Sequence, residues 1–366
     1  MLVSVLSTPT SYGYWGYTLV GHILDAMYGA HLHIHCLDLE GLRAGWSAAK
    51  DKPVVVTSDR PDTPLSFLLI TSSFPVVAFF DEPRDALANA VIFDRLALPE
   101  AIRFCAQYFS CLAGGAGSEH VRLFGAQWRQ ASVSELVAAV VAAIGLEADA
   151  ALVAEAARRV ASEQGLGADA TVEQVMRRRL NGETLTELAL RRFQEPERAL
   201  VDWFAASYGP VLTGGERDML EWPLDLFSVE RKGDSDAKSV ELIGSARHIV
   251  WGPYLHLPVG GWRARVQFET IGNLSGNEIE GDICTQNKQL VRVNAKLPVH
   301  GYFEFALDFA IADPNSPIEL RVRLLKGAIE GRFGLRRVTI EPIADPGQLA
   351  NGPISKHFEA LQHSLR

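Results

Sequence analysis

Short apolar runs alternate with helical periodicity over about the first 130 residues. LVSVL (2–6), HLHIHCL (31–37), PVVVTS (53–58) and FPVVAFF (74–80) are β-branched or aromatic runs of strand length, and the segments between them carry turn signals or a helical period. Strands separated by helices predict a parallel sheet covered on both faces. The stretch SVSELVAAVVAAIGLEADAALVAEAARRVASEQGL, rich in Ala, Glu, Arg and Leu, opens a helical subregion expected over 131–230. From about residue 238 the pattern changes again. HIVWGPYLHLPVGGWRARVQFETIG, IEGDICTQN, QLVRVNAKLPV, GYFEFALDFAIA, PIELRVRLLKG and GLRRVTIEPI are strand-length runs separated by Gly, Pro and Asn turns. Regular short strands without helices between them predict an antiparallel sandwich or jelly roll.

The expected organisation is therefore an α/β domain at 1–232, a β-sandwich at 238–345 and a closing helix at 346–366, with the polar stretch ERKGDSDAKSVE as linker. No internal repeat has a fixed period.

Composition narrows the class. With 366 residues, 48% of them hydrophobic, the chain can bury a full core in two domains. A net charge of −9 gives no global attraction to nucleic acid or an anionic membrane. No run reaches the roughly 18 apolar residues that a membrane span needs. MLVSVLS lacks a basic n-region and a cleavage site, which predicts a cytoplasmic chain. The four cysteines (Cys36, Cys105, Cys111, Cys284) form no CxxC pair, so reduced thiols are expected and a zinc site is not.

Between the first strand and the first helical pattern lies Thr8-Pro9-Thr10-Ser11, followed by Tyr12, Gly13, Tyr14, Trp15, Gly16 and Tyr17. A helix N-terminus offers N–H groups and a positive dipole end, so this turn can hold an anion or can simply be packed. The aromatic residues Tyr12, Tyr14 and Trp15 suit either a plug over the turn or a platform for a sugar ring. Trp251 and Tyr254 pose the same choice between a sugar contact and a sandwich core. His31, His33 and His35 share one strand face, but neighbours on that face stand about 6.5–7 Å apart. Three cannot meet one ion, and no metal is expected.

The order of the N-terminal pieces resembles the sulfotransferase family. There a first strand leads through a P-[KR]-S-G-[ST]-T loop into a helix, and the loop cradles the 5′-phosphosulfate of 3′-phosphoadenosine-5′-phosphosulfate (PAPS). Here Pro9-Thr10-Ser11 and, after a four-residue insertion, Gly16-Tyr17-Thr18-Leu19 look like that loop. VVAFFDEPRDALAN (76–89) is similar to the strand and helix start that bind the 3′-phosphate, VVVTSDRP (54–61) to the strand bearing a Thr-His pair, and SELVAAVVAAIGLEAD (134–149) to a later family helix. The resemblance covers residues 1–220 and implies a P-loop-like sheet. It also implies donor contacts from Thr10, Ser11, Gly16, Thr18, Arg84 and Asn89. For a sulfuryl transfer, Arg60 or Arg84 can supply positive charge, and Asp59 or one of His22 and His33 can serve as base.

The departures bear on the donor. Asp81 stands where the family has the arginine of the 3′-phosphate site, and a carboxylate repels that dianion. Asn89 replaces a serine, Thr10 a Lys or Arg, and Ser58 or Asp59 the histidine. Arg84, beside Asp81, Glu82 and Asp85, fits an ion pair at a helix N-terminus as well as it fits a ligand contact. GPYLHLPVGGWRARVQF looks like the opening of jelly-roll domains that accompany carbohydrate-active proteins. Two readings follow. One is a divergent sulfotransferase-like enzyme acting on a glycan or glycolipid; the other is a non-catalytic glycan-binding or scaffold protein of surface-polysaccharide biosynthesis.

Overall fold

A computed structural model describes residues 1–343, apart from 50–51, 73, 117, 119, 148, 164, 179–183, 214–218, 231–238 and 287. The expected closing helix at 346–366 lies outside the described residues. The chain divides into two compact units, Met1–Gly215 and Glu216–Arg366.

In the first unit the alternation read from the sequence is realised. The elements run β1 (Leu2–Ser7), α1 (Ser11–Tyr28), β2 (Leu32–His35), α2 (Leu39–Trp46), β3 (Val54–Ser58), α3 (Thr63–Thr71), β4 (Val76–Phe79), α4 (Pro83–Ile92), α5 (Leu98–Ala116) and β5 (Val121–Phe124). A 3-10 turn at Ala126–Gln130 then leads into α6 (Val133–Ala143), α7 (Ala150–Ser162), α8 (Val172–Arg178), α9 (Leu185–Leu190) and α10 (Glu195–Thr213). The five strands are parallel in the order β2-β3-β1-β4-β5. β1 lies centrally because its run is apolar on both sides. Val3, Val5, Val55, Val77, Phe79 and Phe124 face a core shared with α1 and α6 to α8. On the opposite face, Gly115 of α5 packs on Leu6.

The second unit begins earlier than the sequence suggested. β6 (Leu220–Glu221) pairs with the last strand, and β7 (Ser228–Val229) pairs with the strand Arg247–Leu255. The boundary expected at 232–238 thus moves to 215/216, and helix ends at Thr213 rather than near 230. The cause is burial: Trp222, Leu226 and Phe227 are apolar and need a core. The remaining strands are β8 (Ser239–Glu241), β9 (Arg247–Leu255), β10 (Gly260–Ile271), β11 (Glu278–Thr285), β12 (Lys288–Lys296), β13 (Gly301–Ile311), β14 (Ile318–Leu324) and β15 (Arg332–Pro342). They form two antiparallel sheets, β13-β10-β15-β6 with β8 on β15, and β12-β11-β14-β9-β7. Between the sheets, Gly281 leaves room for the Phe305 ring, where a Cβ would stand 2.6 Å from it.

Candidate functional site

In the sheet of the first unit, the chain steps from β1 toward β2 and β3, then crosses to β4 on the other side. Open parallel sheets bind ligands at the carboxyl ends of the strands flanking such a reversal. Here those ends are tied together. Thr8 N donates to Phe79 O at 3.2 Å, and Asp81 N donates to Thr8 Oγ1 at 3.0 Å.

The turn after β1 contains no insertion. Thr10 is the N-cap of α1, and its hydroxyl accepts from Gly13 N at 2.9 Å, an amide that a bound anion would otherwise claim. Helix begins at Ser11, so Gly16 and Thr18 sit in its second turn and not in a loop. Gly16 is a packing glycine, since a Cβ there would stand 2.3 Å from the Phe79 ring. Thr18 is exposed. Tyr12 and Trp15 are buried with 1% exposure each, so of the two uses open to them the structure has packing and not a sugar platform. The helical period turns both toward the sheet, and Tyr12 meets Phe79 edge-on at 5.8 Å.

Arg129, from the 3-10 turn after β5, occupies the mouth of the crevice. Its Nη2 donates to Asp81 Oδ2 and, at 3.0 Å, to Asp85 Oδ2, while its Nη1 reaches Glu173 Oε2 at 3.4 Å. Thr186 also donates to Asp85. One guanidinium therefore serves three carboxylates. The space left among Thr10, Ser11, Tyr12, Asp81, Arg129 and Glu173 is about 30 Å³, roughly the room of one or two waters. Burial, then the Asp85 carboxylate, pushes Asp81 up to about 7 against the lowering effect of Arg129.

A wider cavity of about 540 Å³ lies beyond the ends of β4 and β5, against Phe80, Glu82, Leu123, Gln127 and Leu212. Arg84 lines it and pairs with Asp202 at 2.7 Å. Asn89 is buried on α4.

A second cluster gathers at the end of β3. Asp59 is buried, its Oδ2 accepts from the Tyr14 hydroxyl at 3.4 Å, and its Oδ1 stands 3.8 Å from Arg60 Nε. Oδ1 has no hydrogen-bond partner among the described residues. The Arg60 guanidinium lies 4.9 Å from the Tyr108 ring centre. Burial and the Asp59 and Asp94 carboxylates push the Tyr14 hydroxyl up. This cluster can accept a proton and orient a hydroxyl. Of the residues expected there, the structure brings Asp59 and Arg60 together and adds Tyr14. His33 is bound to Thr57 Oγ1 at 2.8 Å, and burial followed by His31 and His35 holds it below the ordinary histidine value. Among the described residues, no group of three or more His, Cys, Asp or Glu side chains is placed to hold a metal ion.

In the second unit, charge collects on the outer face of β12, β11, β14 and β9. The strand register aligns Arg292, Asp282, Arg321 and Trp251 in one row, and Asn294, Glu280, Arg323 and His248 in the next. Arg321 grips Asp282 with Nε at 2.9 Å and Nη2 at 2.6 Å, and Gln289 adds a bond at 2.5 Å. Trp251 is half-buried in the middle of β9. Tyr254 has a left-handed φ of 63°, and its hydroxyl donates to Glu319 Oε1 at 2.7 Å. A tryptophan flanked by hydrogen-bonding side chains held in fixed orientations offers a flat apolar surface with a polar rim.

Arg129 and the arginine rows were not read from the sequence. Arg129 sits in AQWRQ without a motif. The rows do leave a trace, in the alternate charged positions of EIEGDICT and IELRVRL.

No family model matches the chain, and no curated protein matches it. Among solved structures, a mouse sulfotransferase complexed with PAP is 10% identical, with 55% of this chain and 81% of that chain covered and a TM-score of 0.38. The CBM36-1 domain of a multidomain xylanase from the Trinervitermes trinervoides hindgut metagenome is 9% identical, covering 32% and 91%, with a TM-score of 0.24. A xylan-binding module, CBM15, is 10% identical, covering 34% and 95%, with a TM-score of 0.25. Such distant likenesses carry no weight for activity.

Proposed function

We propose that the protein recognises glycans through the outer face of β12, β11, β14 and β9, and that the crevice of its α/β unit holds no nucleotide. The observation that carries the reading is the row Arg292–Asp282–Arg321–Trp251, in which a half-buried indole adjoins side chains held by carboxylates. Sugar rings stack on aromatic faces while their hydroxyls need donors and acceptors at the rim. In the α/β unit the small cavity and the triply engaged Arg129 argue against a phosphosulfate donor. A glycan microarray tests the reading: binding by the full chain that is lost in Trp251→Ala supports it, and an array without signal rejects it.

A second reading, sulfuryl transfer to a glycan hydroxyl, is favoured by Asp59, whose buried Oδ1 accepts no hydrogen bond among the described residues. In that reading Asp59 takes the proton of an acceptor hydroxyl oriented by Tyr14, and Arg60 supplies charge. It requires PAPS to bind. Transfer of labelled sulfate from PAPS to glycan acceptors, abolished in Asp59→Asn, is the result it demands.

A further inference from the structure

We infer that this outer face selects anionic glycans, and that Arg292 and Arg323 are the residues that read the negative charge. The inference rests on the glycan reading above and adds the ligand's chemical class. Its basis is a layering of charge. Glu280 and Asp282, on the outer side of β11, are only 7% and 3% exposed, whereas the side chains of Arg292 and Arg323 are 63% and 45% exposed. The carboxylates lie beneath and the guanidiniums above.

The pairing is also unequal. Glu280 Oε1 accepts from Arg323 Nη2 at 2.8 Å, and Glu280 Oε2 lies 3.7 Å from Arg292 Nη1, too far for a hydrogen bond. Two cations thus share one carboxylate. In the adjoining row Asp282 and Arg321 balance one for one. A guanidinium carries five N–H donors, and Arg323 gives one of them to Glu280. The others suit the planar oxygens of a carboxylate or the oxygens of a sulfate ester, taken two at a time.

The other sheet gives the contrast. On its outer face Arg263 and Asp308 pair through both nitrogens at 2.6 and 2.7 Å with side chains 36% and 38% exposed, and Arg265 is shared by Glu304 and Glu341. No cation is in surplus in that group. On the β11 face Trp251 lies three strand spacings of about 4.8 Å from Arg292 in the same row, so a chain stacked on the indole extends over the arginines within about 14 Å.

The shared chemistry is an anionic group on a sugar ring, either the carboxylate of a uronic acid or a sulfate ester. Affinity electrophoresis of the full chain in gels containing polygalacturonate, dextran sulfate, dextran or hydroxyethylcellulose separates these sources. The expected result is binding to at least one polyanion tenfold or more tighter than to either neutral polymer, with the polymer retained identifying the group. Arg292→Gln/Arg323→Gln should lose at least tenfold of that retention, and Arg337→Gln, on the other sheet, should lose none. The single variant Arg292→Gln, which makes no hydrogen bond to Glu280, should lose a measurable part without disturbing the fold. Unchanged retention in both Arg292 variants overturns the inference. So does equal loss in Arg337→Gln, which marks a bulk charge effect. Retention by neutral polymers alone, abolished in Trp251→Ala, rejects anion selection while leaving the glycan reading standing; no retention by any polymer rejects both.

Discussion

The Arg129 guanidinium donates to the buried Asp81 carboxyl group at the carboxyl end of β4, where the strand order reverses beside β1. The carboxylate is desolvated and stands near Asp85, and both effects oppose its ionisation. Its folded value of about 7 lies above the ordinary aspartate value of about 3.9. Above about pH 4 the unfolded chain gives up this proton while the folded chain keeps it, so ionisation costs stability as pH rises toward 7 and costs nothing further beyond. Thermal melts of wild type and Asp81→Asn between about pH 5 and 9 should therefore diverge below about 7 and run parallel above about 8. Parallel curves over the whole range would show that folding does not shift the titration of Asp81 between these pH values.

Gly16 is expected to tolerate no side chain. A Cβ would stand 2.3 and 2.4 Å from carbons of the Phe79 ring, and that ring stacks on Phe124 at 5.4 Å, so it has little room to move. Gly16→Ala should lower stability by about 1–3 kcal/mol through overpacking. A urea midpoint within error of wild type would mean that α1 can shift away from β4.

The architecture was legible because it depends on patterns that are local in sequence. β1 to β5 are apolar runs of strand length, and β10 to β15 alternate between Gly, Pro and Asn turns. The boundary was misplaced because β6 and β7 are two-residue strands without periodicity, held by Trp222 and its neighbours. The loop after β1 was misread as carrying an insertion because Tyr12, Tyr14 and Trp15 look like loop aromatics. Two of them are the buried face of a helix that starts at Ser11. The partners of Asp81 could not be read, since Arg129 lies 48 residues away and meets it only through the fold.

The earlier start of the second unit has a measurable consequence. Trp222 N donates to Val338 O at 2.8 Å, and its side chain is buried. A fragment of residues 238–366 lacks this residue, together with Leu226 and Phe227, whereas 216–366 retains all three. Deleting one large buried aromatic typically costs about 3–5 kcal/mol. The longer fragment should melt cooperatively, and the shorter should melt at a much lower temperature or aggregate. Equal melting temperatures would place Trp222 outside the core of the second unit.

A nucleotide donor is expected not to bind. The sequence resemblance implies a donor whose 3′-phosphate an arginine and a serine would hold, and a charge-assisted bond of that kind is worth roughly 1.5–3 kcal/mol. Asp81 stands where the resemblance implies that arginine, so the bond is lost, and at about 1.4 kcal/mol per tenfold its loss alone removes one to two powers of ten in affinity. Arg129 does not restore it, because Asp81, Asp85 and Glu173 already engage that guanidinium, and the space beside Thr10 and Ser11 is about 30 Å³. Calorimetric titration with 3′-phosphoadenosine-5′-phosphate should give no binding heat for the wild type. Asp81→Arg/Asn89→Ser should stay silent as well, since it adds charge without opening the cavity and sets a second cation beside Arg129. Micromolar binding by the wild type would restore the transferase reading. Binding by the double variant alone would show that charge, and not space, closes the crevice.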